Sequence, residues 1–543
     1  MRTPLALLVL SLCVIAGTWI WLGEPVPQAR APLDPSQKLE CVSYTPFRGA
    51  QSPLDPELHV PVQQIAQDLA QLAKVTNCIR TYSVDSGLDQ VPGEAAKVGL
   101  KVIQGIWLGS NRFKNSLQID TAVALAKRYP GTIEALVVGN EVLLRGEMTA
   151  TDLVATIRYV KSRVETTPVT YADVWEFWLR NREIYNAVDF VTIHILPYWE
   201  DFPVRAKYAA GHVDQIRKRV AVAFPNKEIL IGETGWPSAG RMRDGALPSL
   251  SNQAMVVSEI LALAKLEKFR VNLIEAYDQP WKRQLEGTVG GYWGLFTNET
   301  RQPKYLPGQP ITNHPMWKYQ MGGGLAFCIL MYVVAFAALR RRPWSPRLSS
   351  WLFVAISATV GGVLAGWGVE KIQIESFGLG GWVANSALLA AALTTAILSA
   401  MAMVTGRCLP TFIDLIGPRE DRTDSKTLRV LGLALVVVVV LATQTALGFV
   451  FDPRYRDFPF VALTIATVPA LLLMLLNGPS LSSGRRPIAE TTFAVLLALS
   501  VVYIGFNEGS ANWQSLWTCG AYALLAFTLS LARVARTPKS STR

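Results

Sequence analysis

Acidic residues follow three short β-rich runs in the N-terminal half of the sequence. Asn140 and Glu141 end one run, Glu233 ends a later one, and Glu275 ends the last. In a barrel of parallel strands the carboxyl ends share one rim, so these carboxylates would converge there. Two carboxylates that face each other across a cleft are what cleavage of a glycosidic bond requires. In the retaining version, one is the nucleophile and the other the general acid and base, about 5–5.5 Å apart.

The general acid of such a pair must keep its proton near neutral pH. Burial or a neighbouring carboxylate raises a carboxyl pKa in this way, and we expect it for Glu141. A single glutamate at a strand end is often only a salt-bridge partner or a helix cap. The pair Asn140-Glu141 together with the segment Gly232–Pro237 is far more specific. Because the sequence has no CxxC motif or Cys/His cluster, we expect neither a metal ion nor a cofactor.

Eight β-rich runs alternating with helical patterns must position these groups. The runs are Glu40–Pro46, Asn77–Tyr82, Leu100–Leu108, Ile133–Gly139, Val169–Ala172, Phe190–Ile195, Glu228–Gly232 and Asn272–Ala276. Helical patterns lie between most of them, for example Val62–Lys74, Asp120–Arg128, Asp152–Val164 and Ser251–Lys268. Eight repeats in about 250 residues predict an α/β fold, a closed (β/α)8 TIM barrel. An open doubly wound sheet is the alternative, and it is less favoured because no GxGxxG motif follows the first strand.

At these strand ends the sequence resembles glycoside hydrolase family 17, the β-1,3-glucanase family. The resemblance rests on the segments Val138–Glu141, Gly232–Ser238, Glu275–Asp278, Trp281-Lys282 and Tyr292–Phe296. It covers about residues 38–310. Within the family, Ser43–Phe47 and Ile79–Ser83 are most similar to proteobacterial membrane proteins linked to periplasmic β-glucan.

The resemblance implies that Glu141 is the acid/base, that Glu233 is the nucleophile and that Asn140 binds a sugar hydroxyl. The other residues predicted to contact substrate are Tyr44, Tyr82, Trp107, Tyr198, Trp236, Glu275, Asp278, Trp281 and Glu286. Indole faces can pack on pyranose rings, although rim packing explains a tryptophan equally well. We interpret His194 as a strand residue without a catalytic role. The resemblance further implies glucanosyl transfer that elongates chains or adds β-1,6 links, with endo-hydrolysis as the alternative.

Eight apolar runs predict helices that cross a membrane. They lie at about 5–22, 322–339, 349–368, 383–405, 430–450, 459–476, 489–506 and 516–534. Of the alternate loops after the later runs, one set, counted with the C-terminal tail, holds fifteen Lys and Arg residues and the other holds three. By the positive-inside rule, both termini are cytoplasmic and residues 23–320 lie outside. We therefore predict a multi-pass protein of a bacterial inner membrane with a periplasmic catalytic domain.

The predicted domains follow from these runs. They are a signal anchor at 1–23, a linker at 24–37, the barrel at 38–315, a seven-helix transmembrane domain at 322–534 and a cytoplasmic tail at 535–543. Cleavage near Ala29–Ala31 remains an alternative to a retained anchor. Glu370, Glu375 and Asp414 are expected in loops. Cys41 and Cys78 could form a disulfide outside the cytoplasm or be two small buried side chains.

The composition excludes several classes of function. The net charge is +11, but much of the excess lies in short loops between apolar runs, which argues against a nucleic-acid partner. A synthase that uses nucleotide sugars needs a large cytoplasmic domain, and the loop at 406–429 is too short for one. The expected partners are a β-glucan chain, the lipid bilayer and proteins of glucan synthesis or export. An inactive glucan-binding barrel, or a helical domain that itself serves export or assembly, remain alternatives.

Overall fold

The computed structural model describes residues 2–34, 36–340, 345–418, 422–480 and 487–533. Two compact units are present. One comprises residues 26–311, and the other comprises residues 1–25 together with 312–543. We refer to them as the barrel unit and the helical unit. The predicted cytoplasmic tail at 535–543 lies outside the described residues.

Eight parallel strands close into a barrel in sequence order, which confirms the predicted fold. The strands are β1 (Leu39–Ser43), β2 (Thr76–Arg80), β3 (Lys101–Ile106), β4 (Ile133–Asn140), β5 (Val169–Val174), β6 (Val191–His194), β7 (Ile229–Thr234) and β8 (Arg270–Leu273). Each overlaps one of the predicted runs. The strands are rich in Val and Ile, which suit a sheet that is covered on both faces.

Helix α1 (Arg2–Leu22) precedes the barrel, and eight helices follow its strands. These are α2 (Val62–Leu72), α3 (Val91–Lys97), α4 (Arg112–Arg128), α5 (Ala150–Arg163), α6 (Trp175–Arg180), α7 (Ala206–Ala223), α8 (Leu250–Glu267) and α9 (Arg283–Gly290). Asn111, Thr149 and Ser249 cap α4, α5 and α8, because each side-chain oxygen accepts backbone N–H groups of the first turn. Apolar side chains between the helices and strands form one continuous core.

A disulfide joins Cys41 and Cys78. The two residues are direct neighbours in the β1–β2 register, so the bond links adjacent strands inside the barrel. This settles the alternative that the sequence left open. A disulfide of this kind is typical of proteins that fold outside the cytoplasm.

The helical unit contains α1 and eight later helices. They are α10 (Trp317–Arg340), α11 (Leu348–Glu375), α12 (Gly378–Val404), the short α13 (Ile413–Ile416), α14 (Lys426–Phe451), α15 (Phe460–Asn477), α16 (Ile488–Glu508) and α17 (Trp513–Ser530). Among the described residues, seven helices are long and apolar enough to cross a membrane, namely α1, α10, α11, α12, α14, α15 and α16. Helix α17 corresponds to the eighth predicted run but carries polar residues in its first turns, and it is not one of the seven.

Helix α1 packs inside the helical unit. Its Ile15 and Trp19 are fully buried, and Ser11 donates a hydrogen bond to the Ala355 carbonyl of α11. Glycines allow α10 and α11 to approach closely, because a Cβ on Gly324 would lie 2.0 Å from the carbonyl oxygen of Gly362.

The expected loop positions of three acidic residues are wrong. Glu370 and Glu375 belong to the last turns of α11, which runs several residues beyond the predicted apolar segment. Asp414 is buried in α13. The polar end of α11 remains helical, and there Lys371 pairs with Glu375 one turn later, which stabilises the last turns.

Candidate active site

Glu141 and Glu233 face each other at the carboxyl rim of the barrel. Glu141 directly follows β4, and its side chain is 23% exposed. Glu233 lies within β7, and its side chain is only 7% exposed. A pair of their carboxylate oxygens lies within 4.8 Å. The structure therefore brings together the two carboxylates that the sequence singled out.

His194, the last residue of β6, lies between the two glutamates. Its Nδ1 is 2.7 Å from Oε1 of Glu141, and its Nε2 is 3.2 Å from an Arg80 nitrogen. Because a guanidinium can only donate, Nε2 acts as the acceptor and Nδ1 carries the proton that it shares with Glu141. The interpretation of His194 as a plain strand residue therefore missed its contact with the candidate acid/base.

Arg80, at the end of β2, lies at the centre of the site and is buried. Its guanidinium donates to Oε1 of Glu233 at 3.2 Å and to Oδ1 of Asn140 at 2.6 Å. The same group packs over the ring of Tyr82, 4.8 Å from the centroid. Tyr82 in turn donates to the Ser43 hydroxyl. Arg80 thus fixes the orientation of the nucleophile candidate and of Asn140 at once.

The pKa of Glu141 is lowered, whereas the sequence led us to expect a raised value. Burial by itself raises this pKa, but the hydrogen bond from His194 and the positive charges of Arg80 and Arg145 outweigh burial and lower it. The expected elevation is therefore wrong for the protein without substrate. Its physical reason is the positive and donating groups around Glu141, which the local sequence does not reveal.

Three further acidic residues lie on the β8 side of the cleft, each close to a lysine. Glu275 accepts from Lys282 at 2.8 Å, and burial raises its pKa to about 7 against the opposing lysine charge. Asp278 accepts from Lys304 at 2.6 Å, and burial raises its pKa to about 6. Burial also raises the pKa of Glu286, with Lys282 opposing it and the charges of both glutamates of the site adding to it.

Apart from Tyr82, which packs against Arg80, the aromatic residues predicted to bind substrate fall into two groups. Tyr44, Tyr198 and Trp236 are fully buried, and their polar atoms donate to Asp68, to the Arg241 carbonyl and to the Leu247 carbonyl respectively. A direct contact with a sugar would require these side chains to move.

The second group is open to solvent to different degrees. Trp107 is 39% exposed and packs against Arg145, whose guanidinium lies 4.2 Å from the centroid of the indole ring. Trp281 is half-buried and donates to the Gln279 side chain. These two indoles remain candidates for direct contact with a sugar ring.

The sequence did not single out Asp173 and Tyr171 on β5. Asp173 is fully buried. Burial, opposed by a hydrogen bond from Tyr171 and reinforced by the charge of Glu141, raises its pKa to about 6. A carboxylate at the end of a barrel strand was the available signal, but the run predicted for this strand stopped at Ala172.

The donor atoms of Glu141, His194 and Glu233 lie close enough together to hold a metal ion. The positive guanidinium of Arg80 contacts both His194 and Glu233. A cationic side chain thus already contacts two of the three members of this cluster. The chemistry of the cluster therefore suits acid–base and nucleophilic catalysis better than metal binding.

Comparison with known proteins places the barrel among glycoside hydrolases. The BtgE/BtgC glycoside hydrolase domain matches residues 41–294. A putative glucan endo-1,3-β-glucosidase of Aspergillus niger is 27% identical over 278 residues, 46% of this chain and 40% of that protein. A glucan 1,3-β-glucosidase of Candida albicans is 27% identical over 253 residues, 43% of this chain and 82% of that protein.

Among solved structures, the glycoside hydrolase family 17 β-1,3-glucanosyltransferase from Rhizomucor miehei is similar. It shares 23% sequence identity with a TM-score of 0.44, over 50% of this chain and 97% of that one. The family model matches residues within the barrel unit, and the chain spans less than half of the Aspergillus niger relative.

Proposed function

We propose that this chain, whose barrel matches the BtgE/BtgC glycoside hydrolase domain and resembles glycoside hydrolase family 17, is a retaining enzyme of β-1,3-glucan that transfers glucanosyl chains. The observation that carries the proposal is the pair of Glu141 and Glu233 oxygens within 4.8 Å. This spacing suits the retaining mechanism, with carboxyl groups about 5–5.5 Å apart. The inverting mechanism needs about 6.5–9.5 Å to accommodate a water molecule.

In the first step, the carboxylate of Glu233 attacks the anomeric carbon as the bond to the leaving oxygen breaks. Glu141 gives its proton to that oxygen, and a glycosyl ester of Glu233 forms. Sugar binding displaces water from Glu141, which disfavours its charged form and raises its pKa in the complex. Arg80 holds the Glu233 carboxylate in place for the attack.

In the second step, Glu141 acts as the base. Glu141 has given its proton to the leaving oxygen, and ester formation removes the negative charge of Glu233, which lowers the pKa of the nearby Glu141 and keeps it ionised. Glu141 then takes a proton from an acceptor, which attacks the anomeric carbon and releases Glu233. Water as acceptor gives hydrolysis, whereas a sugar hydroxyl gives transfer.

Within the proposed site, Asn140 and Trp107 are the residues best placed to meet the sugar. Asn140 precedes the acid/base, and its side-chain oxygen accepts from Arg80, which leaves its amide group to donate to a hydroxyl. The exposed indole face of Trp107 can pack on a pyranose ring. Both curated relatives carry names that refer to 1,3-β-glucan, which supports this substrate class.

We place the barrel on the periplasmic side of a bacterial inner membrane and assign it to remodelling of periplasmic β-glucan, with β-1,6 branching as the product. The loop charges, the disulfide and the packing of α1 inside the helical unit support this topology. A Phe202→Cys chain should react with an impermeant maleimide applied to cells with an opened outer membrane. An Arg422→Cys chain should react only after the inner membrane is permeabilised, and the reverse result would refute the orientation.

The activity is tested with the full chain in detergent and laminari-oligosaccharides. Products are resolved by mass, and their linkages are assigned by NMR. Glu233→Ala serves as the inactive variant. Glu228→Ala, a glutamate just before the same strand at the opposite barrel end, serves as the matched control and should retain activity.

Products longer than the substrate, absent with Glu233→Ala, would establish transfer, and a β-1,6 signal would establish branching. Only shorter products, even at high oligosaccharide concentration, would make the protein an endo-1,3-β-glucanase. Equal activity of Glu233→Ala and Glu228→Ala would overturn the assignment of the nucleophile.

A further inference from the structure

Glu141 occupies an unusual backbone conformation. Its φ is +53°, in the left-handed region, whereas Asn140 before it still belongs to β4. A residue with a Cβ adopts this region at a cost of about 1 kcal/mol or more, so it persists only where neighbouring groups hold it. The position of the Glu141 carboxyl therefore depends on what fixes the turn after β4.

Strand β5 supplies two of the bonds that fix this turn. The N–H of Glu141 donates to the Ala172 carbonyl at 2.8 Å. Two residues later, the N–H of Leu143 donates to the hydroxyl of Tyr171 at 3.1 Å. The first bond joins two backbone groups, but the second depends on one side chain.

The Tyr171 hydroxyl is itself held by Asp173. It donates to Oδ2 of Asp173, whose other oxygen accepts from the Val174 N–H at 2.8 Å. Both side chains are fully buried. A phenol can donate one hydrogen bond, and Asp173 receives it while the oxygen accepts from Leu143. Asp173, Tyr171 and Leu143 thus form one chain of hydrogen bonds that ends beside Glu141.

We propose that Tyr171 and Asp173 are positioning residues for the general acid/base. They act through the backbone of Leu143 and keep the Glu141 carboxyl at the leaving oxygen, without touching the sugar. This inference rests on the proposed function, because it assigns Glu141 the acid/base role. It predicts that loss of the chain of hydrogen bonds impairs proton transfer and leaves attack by Glu233 intact.

The surroundings of Asp173 support this direction of hydrogen bonding. Val174 pairs with His194 across β5 and β6, so Asp173 lies next to the residues that meet Glu141. Burial and the charge of Glu141 raise the pKa of Asp173 to about 6, against the hydrogen bond from Tyr171. The Asp173 carboxyl accepts the hydrogen bond from the Tyr171 hydroxyl.

The test compares donors that need an acid with donors that do not. Tyr171→Phe in the full chain removes one hydroxyl and keeps the ring. Laminari-oligosaccharides have a poor leaving group and require protonation, whereas a 2,4-dinitrophenyl β-laminaribioside does not. Azide, an anionic nucleophile, also removes the need for a base in the second step. Tyr277→Phe is the matched control, because Tyr277 is another buried tyrosine whose hydroxyl donates to Gln71.

We expect Tyr171→Phe to lower kcat on laminari-oligosaccharides by about 10- to 100-fold, the range for a misplaced acid/base. Its rate of glycosyl azide formation from the dinitrophenyl donor should stay within about threefold of the unmodified protein. Tyr277→Phe should leave both rates within that range. Asp173→Ala should also lose kcat on laminari-oligosaccharides but not on the dinitrophenyl donor. Asp173→Asn keeps an acceptor oxygen and should lose less.

Equal losses on both donors would overturn the inference, because general damage to the site slows both reactions. Unchanged rates of Tyr171→Phe on both donors would also overturn it. If Tyr171→Phe does not fold, the rates of Asp173→Asn and Asp173→Ala on the same two donors provide the test, with the same criteria. An unmodified protein that is inactive on both donors would instead refute the proposed function.

Discussion

The barrel unit buries charged groups at its centre, whereas the helical unit buries its carboxylates near helix ends. In the barrel unit, Arg80, His194 and Glu233 lie at the centre and are bonded to one another. In the described part of the helical unit, the buried carboxylates lie near helix ends, Asp414 in α13 and Glu490 in the first turn of α16. The buried amides Gln320, Asn512 and Gln514 also lie at helix starts, in α10 and α17. Away from the helix ends, the helical core is made of apolar, small and hydroxyl-bearing side chains.

The difference indicates where each unit can carry out chemistry. Buried charges are costly unless they are paired, so a central cluster of them persists where it serves a reaction. An apolar core with glycine contacts is what helices need to pack in a bilayer. We therefore expect changes in the barrel centre to affect both stability and activity, and changes in the helical core to affect stability alone.

The largest effect is expected for Arg80→Met. It leaves Glu233 buried without its cation, which should lower the free energy of unfolding of the barrel by about 3–5 kcal/mol and abolish transfer. Lys371→Met in α11 removes one ion pair along a helix and a contact with the Phe460 ring, and should cost less, about 1–2 kcal/mol. Urea-dependent proteolysis, read on peptides from each unit, measures both. Similar costs for the two variants would contradict the comparison.

The disulfide gives a second test of the difference between the barrel unit and the helical unit. Cys41→Ser with Cys78→Ser should destabilise the barrel by about 3–4 kcal/mol, because the bond closes a loop of 37 residues and restricts the unfolded chain. Cys328→Ala with Cys519→Ala, which are unbonded and buried in the helical unit, is the control. Protection of barrel peptides should fall in the first variant only. A loss of protection in helical peptides of the disulfide variant would show that the two regions are not separate in stability.

The raised pKa of Glu275 predicts that the stability of the barrel depends on pH. Its folded pKa of about 7 lies above the usual value, so the folded state retains a proton that the unfolded chain has lost. Glu275 therefore contributes about 3 kcal/mol to the free energy of unfolding below about pH 4.5, and this contribution is lost as the pH rises to about 7. Glu275→Gln should flatten this fall, measured by urea midpoints of barrel peptides at pH 4.5 and 7.5. Parallel pH profiles for the two proteins would count against the assigned pKa.

The smallest effect concerns the contact between α10 and α11. Gly324→Leu places a side chain against the Gly362 carbonyl and should destabilise the helical unit by about 1–3 kcal/mol. Gly323→Leu, where no atom lies within 4 Å, should be neutral. Thermal unfolding in detergent measures the difference, and kcat on soluble oligosaccharides should be the same in both variants. A loss of kcat with Gly324→Leu alone would show that helical packing controls the active site.

Much of the fold could be predicted because it depends on local patterns. The eight β-rich runs all became strands, since alternation of apolar runs with amphipathic helices repeats along the chain. The ends of β4 and β7 then gave Glu141 and Glu233 without any knowledge of contacts. Strand limits moved by a few residues, and Asp173 was missed because β5 continues past Ala172 to Val174.

The contacts that set the chemistry could not be predicted, because they join distant parts of the chain. Arg80 and Glu233 are 153 residues apart, and His194 and Glu141 are 53 apart. The lowered pKa of Glu141, the disulfide and the left-handed turn all follow from such contacts. The sequence by itself determined which residue types end which strands, since strand periodicity is local. Barrel closure decided which of them meet, because only the closed sheet brings β2, β4, β6 and β7 to one rim.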